Sequence, residues 1–437
     1  MQASAPRPSQ PQPYQANSPA PAPFTAPEAP GSGPGPAAPA DGRRLADVDA
    51  LRGFALLGIL VVNATYFASV FHGTGIEDPA FTSRTDTVVG WFVSTLLETK
   101  FYLLFSFLFG YSFTLQRRAA ARRGTRFTAS MLRRLAMLAV IGAAHAVLLF
   151  TGDILTTYAM LGLILLCLGR LRPRTAVLVA VVLLTLTAAV YAGLGALQAA
   201  AGGHGPPDAA SITADARSLA GQLTGNPGQV VAAHLRDLPD TAAVLLLFQA
   251  PAALAMFLLG LAAGTCNVLA GPLRHCAAAR RIQWIGFPVG LAGSVIYTHA
   301  GLHGPGTPYE AYALAVDLLT APALTAAYVV TLLCALHGRC GERLTGVLAP
   351  AGRMALSNYL LQSAVLAVVF TGYGLSAVGR LHPPAVLALA LALYLIQLRL
   401  SAHWMRTHAH GPVEWVLRAV TVLEFPAWRR IAGRHSG

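Results

Sequence analysis

Thr175-Ala176-Val177-Leu178-Val179-Ala180-Val181-Val182-Leu183-Leu184-Thr185-Leu186-Thr187-Ala188-Ala189-Val190-Tyr191 carries no charged side chain, and the uncharged run continues to residue 199. Arg170, Arg172 and Arg174 stand directly before it. An apolar run of about 20 residues spans hydrocarbon as an α-helix, and flanking arginines mark its end at the interface. A membrane strand would alternate in hydropathy, and this run does not. The same pattern recurs along the chain at 47–69, 87–113, 131–151, 154–170, 242–270, 283–302, 312–336, 354–373 and 384–402. The expected fold class is therefore all-α: a polytopic membrane helix bundle of about ten transmembrane helices.

Composition agrees. The chain of 437 residues is 55% hydrophobic and 11% charged, against roughly 25% charged in a soluble domain. Its mean hydropathy is +0.55. A water-soluble globular enzyme is excluded, and so is a mainly disordered chain. The net charge of +13 would suggest nucleic acid in a soluble protein, but here the arginines sort by loop. They fill the connections at 114–130, 170–174, 271–282 and 337–353, whereas the alternate connections carry Glu77, Asp78, Asp86, Asp153, Asp208, Asp237 and Glu310. The positive-inside rule then predicts a multi-pass protein of the plasma membrane with both termini cytoplasmic and no nucleic-acid partner. The basic face would attract anionic headgroups of the lipid bilayer and a phosphorylated cytosolic donor.

Residues 1–42 are rich in Pro, Ala and Gly and have no apolar segment of a secretory signal, so they read as a disordered cytoplasmic tail ahead of a transmembrane domain at 43–437. The stretch 200–241 reads as a long outer loop with weak helix around 208–224, serving as a lid or as a passive insertion. Residues 412–423 read as a short amphipathic surface helix anchored by Trp415, with a Glu414–Arg418 pair. Five cysteines without a C-x-x-C pair argue against a disulfide framework and against a metal site.

Polar residues at bilayer depth are costly, so each needs a reason. Arg52 and Asn63 are eleven residues apart, which puts them on one helix face. Arg52 is either an anchor paired with Asp49 or a donor-binding group, and Gly53 and Gly58 permit close helix approach. Lys100 is the chain's only lysine and lies midway along its block, where it could stabilise an oxyanion, act as a base, or pair with Glu98 or an acid on another helix. His145 precedes Asp153 by about two turns; the two form an acid–base unit, or else a packing histidine and a helix cap. His72, His299 and Asp317 are further outer-side candidates. At the basic side Arg353 and Asn358 are candidate donor-binding residues, with Asn358 and Gln362 as polar glue between helices in the structural alternative. Walker A, G-x-S-x-G, H-E-x-x-H and Rossmann patterns are absent.

Asp49-Ala50-Leu51-Arg52-Gly53-Phe54-Ala55-Leu56-Leu57-Gly58-Ile59, the Lys100–Gly110 block, Gly152-Asp153-Ile154-Leu155, the Gly352–Ser363 block and Gly411-Pro412-Val413-Glu414-Trp415 together resemble the YeiB-like family, filed as domain of unknown function 418. The resemblance runs from about residue 43 to residue 430, and Ser357 stands where the family usually has Thr. That family looks like a branch of the transmembrane acyltransferase superfamily. In the acyltransferase-3 branch an Arg in the first span is followed eleven residues later by a catalytic His; Arg52 matches, and Asn63 stands at the His position. The lysosomal glucosaminide acetyltransferase is similar in having Asn there and a catalytic His further along, in a place roughly comparable to His72. The resemblance thus implies an acyltransferase using cytosolic acyl-CoA as co-substrate and an envelope glycan, lipid or small metabolite as acceptor. In that reading His72 or His145 is the base, Lys100 or Asn63 steadies the oxyanion, and Asp153 supports His145. A small-metabolite transporter or exporter and a non-catalytic membrane scaffold are the alternatives.

Overall fold

The computed structural model describes residue 2 and residues 38–74, 76, 78–202, 209–269, 276–304 and 306–429. The expected disordered tail falls almost wholly outside these residues, as do Glu77, Asp208 and Arg274. The compact unit is Gly42–Gly437. Among the described residues it is built of helices: α1 (Ala38–Ala68), α2 (Arg84–Leu96), α3 (Lys100–Arg122), α4 (Phe127–Leu148), α5 (Ile154–Leu168), α6 (Pro173–Ala200), α7 (Ala209–Leu223), α8 (Pro227–Val244), α9 (Ala250–Thr265), α10 (Cys276–His303), α11 (Pro308–Leu336), α12 (Gly341–Arg353), α13 (Ala355–Phe370), α14 (Pro383–Thr407) and α15 (Pro412–Val422).

The predicted apolar blocks are helical, most on one helix each, whereas 87–113 is divided between α2 and α3 and 242–270 between α8 and α9. Among the described residues, seven segments are long and apolar enough to cross a membrane, or eight if the bent pair α12–α13 is one span, against the about ten expected; α5 is apolar but shorter. The outer surface suits lipid. The α6 side chains Leu178, Val182, Leu186, Val190, Leu194 and Leu197 are all exposed, in steps of three or four residues along one face, and Trp284 of α10 is 75% exposed. Water would penalise such a surface heavily, whereas acyl chains match it. The interior holds instead the polar groups: Lys100, Asp317, His145, Asp153, Asn358, Gln362 and Ser401 are all buried.

Small residues bring the helices together. Gly53 of α1 lies against the Leu348 carbonyl of α12, and Gly352 of α12 lies against the Asp49 carbonyl of α1. In the same way Gly110 of α3 meets the Phe257 backbone of α9, and Gly260 meets that of Phe107. No side chain fits at these crossings.

Three expectations need correction. The block 87–113 is not one continuous helix: it breaks at Leu97–Thr99, where Thr99 takes φ +60°, a left-handed value rare for a β-branched residue. Within 200–241 the described residues are mostly helical: α7 falls on the helical stretch expected around 208–224, but 227–241, expected as loop, belongs to α8, which runs through a π-helical turn at Leu245–Gln249 into α9. The third correction concerns the basic connection at 337–353, which holds helix α12 and meets α13, the ninth block, at a bend of 75°.

Glu414 sustains that bend. Its Oε1 accepts the backbone N–H groups of Leu356 (2.7 Å) and Ser357 (3.0 Å), and its Oε2 accepts the Ser357 hydroxyl (2.5 Å). Ser357 Oγ in turn accepts the Val413 N–H at 3.0 Å. The first N–H groups of a helix have no partner within it, and a carboxylate there also meets the positive end of the helix dipole. Glu414 is thus a cap supplied from α15 rather than one half of a surface pair with Arg418. Glu414→Ala should destabilise the protein by about 2 kcal/mol, in the range of a lost helix cap, and Glu414→Gln by less; thermal unfolding of the purified variants in detergent measures both.

Candidate functional site

Two cavities lie back to back inside the unit. The first, about 560 Å³, is lined by Asn63, Tyr66, His72, Glu98, Thr99, Phe101, Tyr297, Asp317 and Tyr359, with Leu219, His234 and Asp237 contributed by α7 and α8. The second, about 1080 Å³, is lined by Arg52, Arg123, Arg126, Arg133, Arg134, Arg353, Arg418, His410 and Glu414. No arginine or lysine lines the first, and seven arginines line the second. The charge sorting read along the chain is therefore also a sorting in space. The two cavities have three lining residues in common: Ile59, Ile154 and Tyr359.

The α2–α3 break arms the first cavity. It turns Glu98 toward the α1–α2 connection, where Glu98 Oε1 lies 2.7 Å from His72 Nε2 and Oε2 accepts the Ser94 hydroxyl at 2.8 Å. The Tyr66 ring packs edge-on against His72 with centroids 4.3 Å apart. On the other side of the break, Thr99 Oγ1 donates to Asp317 Oδ2 at 2.8 Å and Lys100 Nζ lies 3.2 Å from Asp317 Oδ1. Ser294 Oγ is 3.0 Å from the same Oδ1. The side chains of Lys100 and Asp317 are both fully buried. Lys100 therefore pairs with Asp317 on α11 and not with Glu98. It lines neither cavity; Asp317 and Thr99 stand between it and the first.

His145 and Asp153 do form a unit. His145 Nδ1 is 3.0 Å from Asp153 Oδ1, with both side chains almost fully buried. Asp153 Oδ2 also accepts the Thr156 N–H at 2.7 Å and so caps α5. Neither residue lines a cavity; the His145 ring lies 5.1 Å from that of Tyr359. Asn63 faces the first cavity, which Tyr359 also lines. Arg52 pairs with Asp49 at 2.7 Å, also donates to Ser112, and faces the second cavity. Arg353 lines the same cavity and reaches the Ala409 carbonyl at 3.4 Å. Asn358 goes elsewhere. Its Nδ2 donates to the Ala351 carbonyl and to Ser401 Oγ, while Gln362 donates to Gln397 at 2.8 Å, so this face joins α13 to α14 as polar glue. His299 is exposed beside Tyr309. The described residues contain no cluster of three or more metal-ligating side chains.

Residue-type reasoning passed over Tyr359, Ser294 and the capping role of Glu414. Tyr359 had a signal: it follows Asn358 directly, and one residue turns a helix by about 100°, which takes it off the glue face and toward α5.

At His410, between α14 and α15, burial together with nearby Arg418 and Arg353 pushes the imidazole below its usual value, so it is neutral over the basic cavity at pH 7. The buried ion pair gives the sharper test. Lys100→Met leaves Asp317 as an unpaired buried carboxylate and should cost about 3–5 kcal/mol. The double variant Lys100→Met/Asp317→Leu should recover much of that loss; a double-mutant cycle of unfolding free energies reads the difference.

Comparison with known proteins places this architecture. The model described as "Protein of unknown function (DUF418)" matches residues 263–424. The chain is 30% identical over 404 residues to the uncharacterized protein YxaH of Bacillus subtilis (strain 168), covering 89% of this chain and 96% of the relative. It is 28% identical to the uncharacterized 39.9 kDa protein in the amylase 3' region of Bacillus acidopullulyticus, covering 86% and 94%. It is also 28% identical to the uncharacterized protein YeiB of Escherichia coli (strain K12), covering 87% and 96%. The protein is an integral membrane member of the DUF418 family, and it is similar to YxaH and YeiB over nearly their whole lengths.

Proposed function

We propose that this protein is a plasma-membrane acyltransferase that moves an acyl group from cytosolic acyl-CoA to an extracytoplasmic or membrane-borne acceptor. The observation that carries this reading is the pair of unlike cavities meeting at one thin wall. The arginine-rich cavity suits the phosphates of coenzyme A, because guanidinium groups bind phosphate in a bidentate manner. Glu414 acts on Arg134 from the same cavity but is already committed to capping α13, which leaves part of the Arg134 charge to a ligand. The other cavity combines aromatic walls with carboxylates and a histidine, a lining suited to a hydroxyl- or amine-bearing acceptor.

In this reading His72 is the base. Glu98 holds its ring and would steady the imidazolium that forms when the acceptor gives up a proton. Asn63 lies in the same cavity, toward the wall. Helices α7 and α8 border the acceptor side and serve as its lid. Both termini and the basic cavity then lie in the cytoplasm, as the loop charges require.

Purified protein in lipid vesicles, given labelled acetyl-CoA with envelope glycans, lipids or water as acceptor, should show donor turnover. His72→Gln should lower turnover by about 10²–10⁴-fold with donor binding retained, as read by product formation and equilibrium binding. Complete lack of acyl-CoA binding and hydrolysis would remove the reading. Two cavities facing across a wall, with a buried Lys100–Asp317 pair beside it, are also the layout of a small-metabolite transporter. Substrate counterflow that persists in His72→Gln would favour that alternative.

A further inference from the structure

Three residues line both cavities, and two of them, Ile59 and Ile154, carry no polar group. The third is Tyr359. Its side chain is well packed: it is only 5% exposed; its ring lies 5.1 Å from the His145 imidazole, which is itself fixed on Asp153; and it lines the first cavity together with Asn63 and Ile154. The His145–Asp153 unit lines neither cavity, so it has no direct access to a ligand in either.

We propose that Tyr359 is a catalytic residue at the point of transfer, its hydroxyl donating a hydrogen bond to the acyl carbonyl oxygen while that group passes between the two cavities, with His145–Asp153 as the unit that positions its ring. This rests on the acyltransferase reading and adds the residue that stabilises the charge. In the step, the acceptor oxygen or nitrogen attacks the thioester carbonyl and its proton passes to His72. The carbonyl oxygen carries the negative charge of the tetrahedral intermediate, and Tyr359 faces it. Collapse re-forms the C=O bond and breaks the C–S bond. Coenzyme A leaves as a thiolate through the basic cavity and takes a proton from solvent there, while His72 releases its proton to solvent on its own side. A hydroxyl fixed before the reaction and sheltered from water is worth most at this position, because no reorganisation is needed as charge develops.

The test compares Y359F with the unaltered full-length protein in vesicles, using labelled acetyl-CoA and reading turnover, KM and donor binding. The expected result is a loss in kcat of about 100-fold, with KM and donor binding unchanged. Full turnover by Y359F overturns the inference and leaves the acyltransferase reading standing. Donor binding lost in parallel with turnover also overturns it, because the hydroxyl would then be holding the wall together. If the unaltered protein neither binds nor turns over acetyl-CoA, both readings fall together.

Discussion

A helix that starts inside a membrane exposes its first N–H groups where no water can reach them, so something from the protein must take them. This chain meets that constraint with carboxylates at α5 and α13. Asp153 caps α5 and Glu414 caps α13 from a different helix; at the start of α3 the first N–H groups go to the Leu97, Glu98 and Thr99 carbonyls, and Asp317 takes the Thr99 hydroxyl and the Lys100 ammonium. Each carboxylate also meets the positive end of a helix dipole. The polar interior is therefore first of all a set of supports for interrupted helices.

The cavities follow from those interruptions. An unbroken α2–α3 rod could not turn Glu98 toward His72 and Thr99 toward Asp317 within two residues. The positive φ at Thr99 costs about 1–3 kcal/mol, and the bonds around Asp317 and Glu98 offset it. The α12–α13 bend likewise sets Arg353 in the basic cavity and Tyr359 in its wall. Between bends, the glycine crossings of α1 with α12 and of α3 with α9 fix how closely the walls approach.

Much of the fold was legible because hydropathy is strong over runs such as 175–199, and the apolar blocks are helical. Breaks were not legible, because Leu97, Thr99 and Met354 are not helix breakers by type; the interruption is imposed by partners distant in sequence, Asp317 and Glu414. The same limit applies to the site. His145 with Asp153 was readable, since the partners are eight residues apart. That Lys100 joins Asp317 across 217 residues was not. Asn358 could be read either as glue or as a donor contact, and only packing against Ser401 and Gln397 shows which bonds it makes.

The segment from Pro227 to Thr265 holds 39 residues in near-continuous helix. At 1.5 Å per residue its length is about 58 Å, against a hydrocarbon thickness of about 30 Å. Roughly half of it must therefore stand clear of the acyl chains, like a mast rooted in the bilayer. Leu219 and Asp237 belong to that raised part and to its neighbour α7. The cavity they border is thus flanked by helix that the hydrocarbon alone cannot cover, so a polar molecule as well as a lipid would find it within reach.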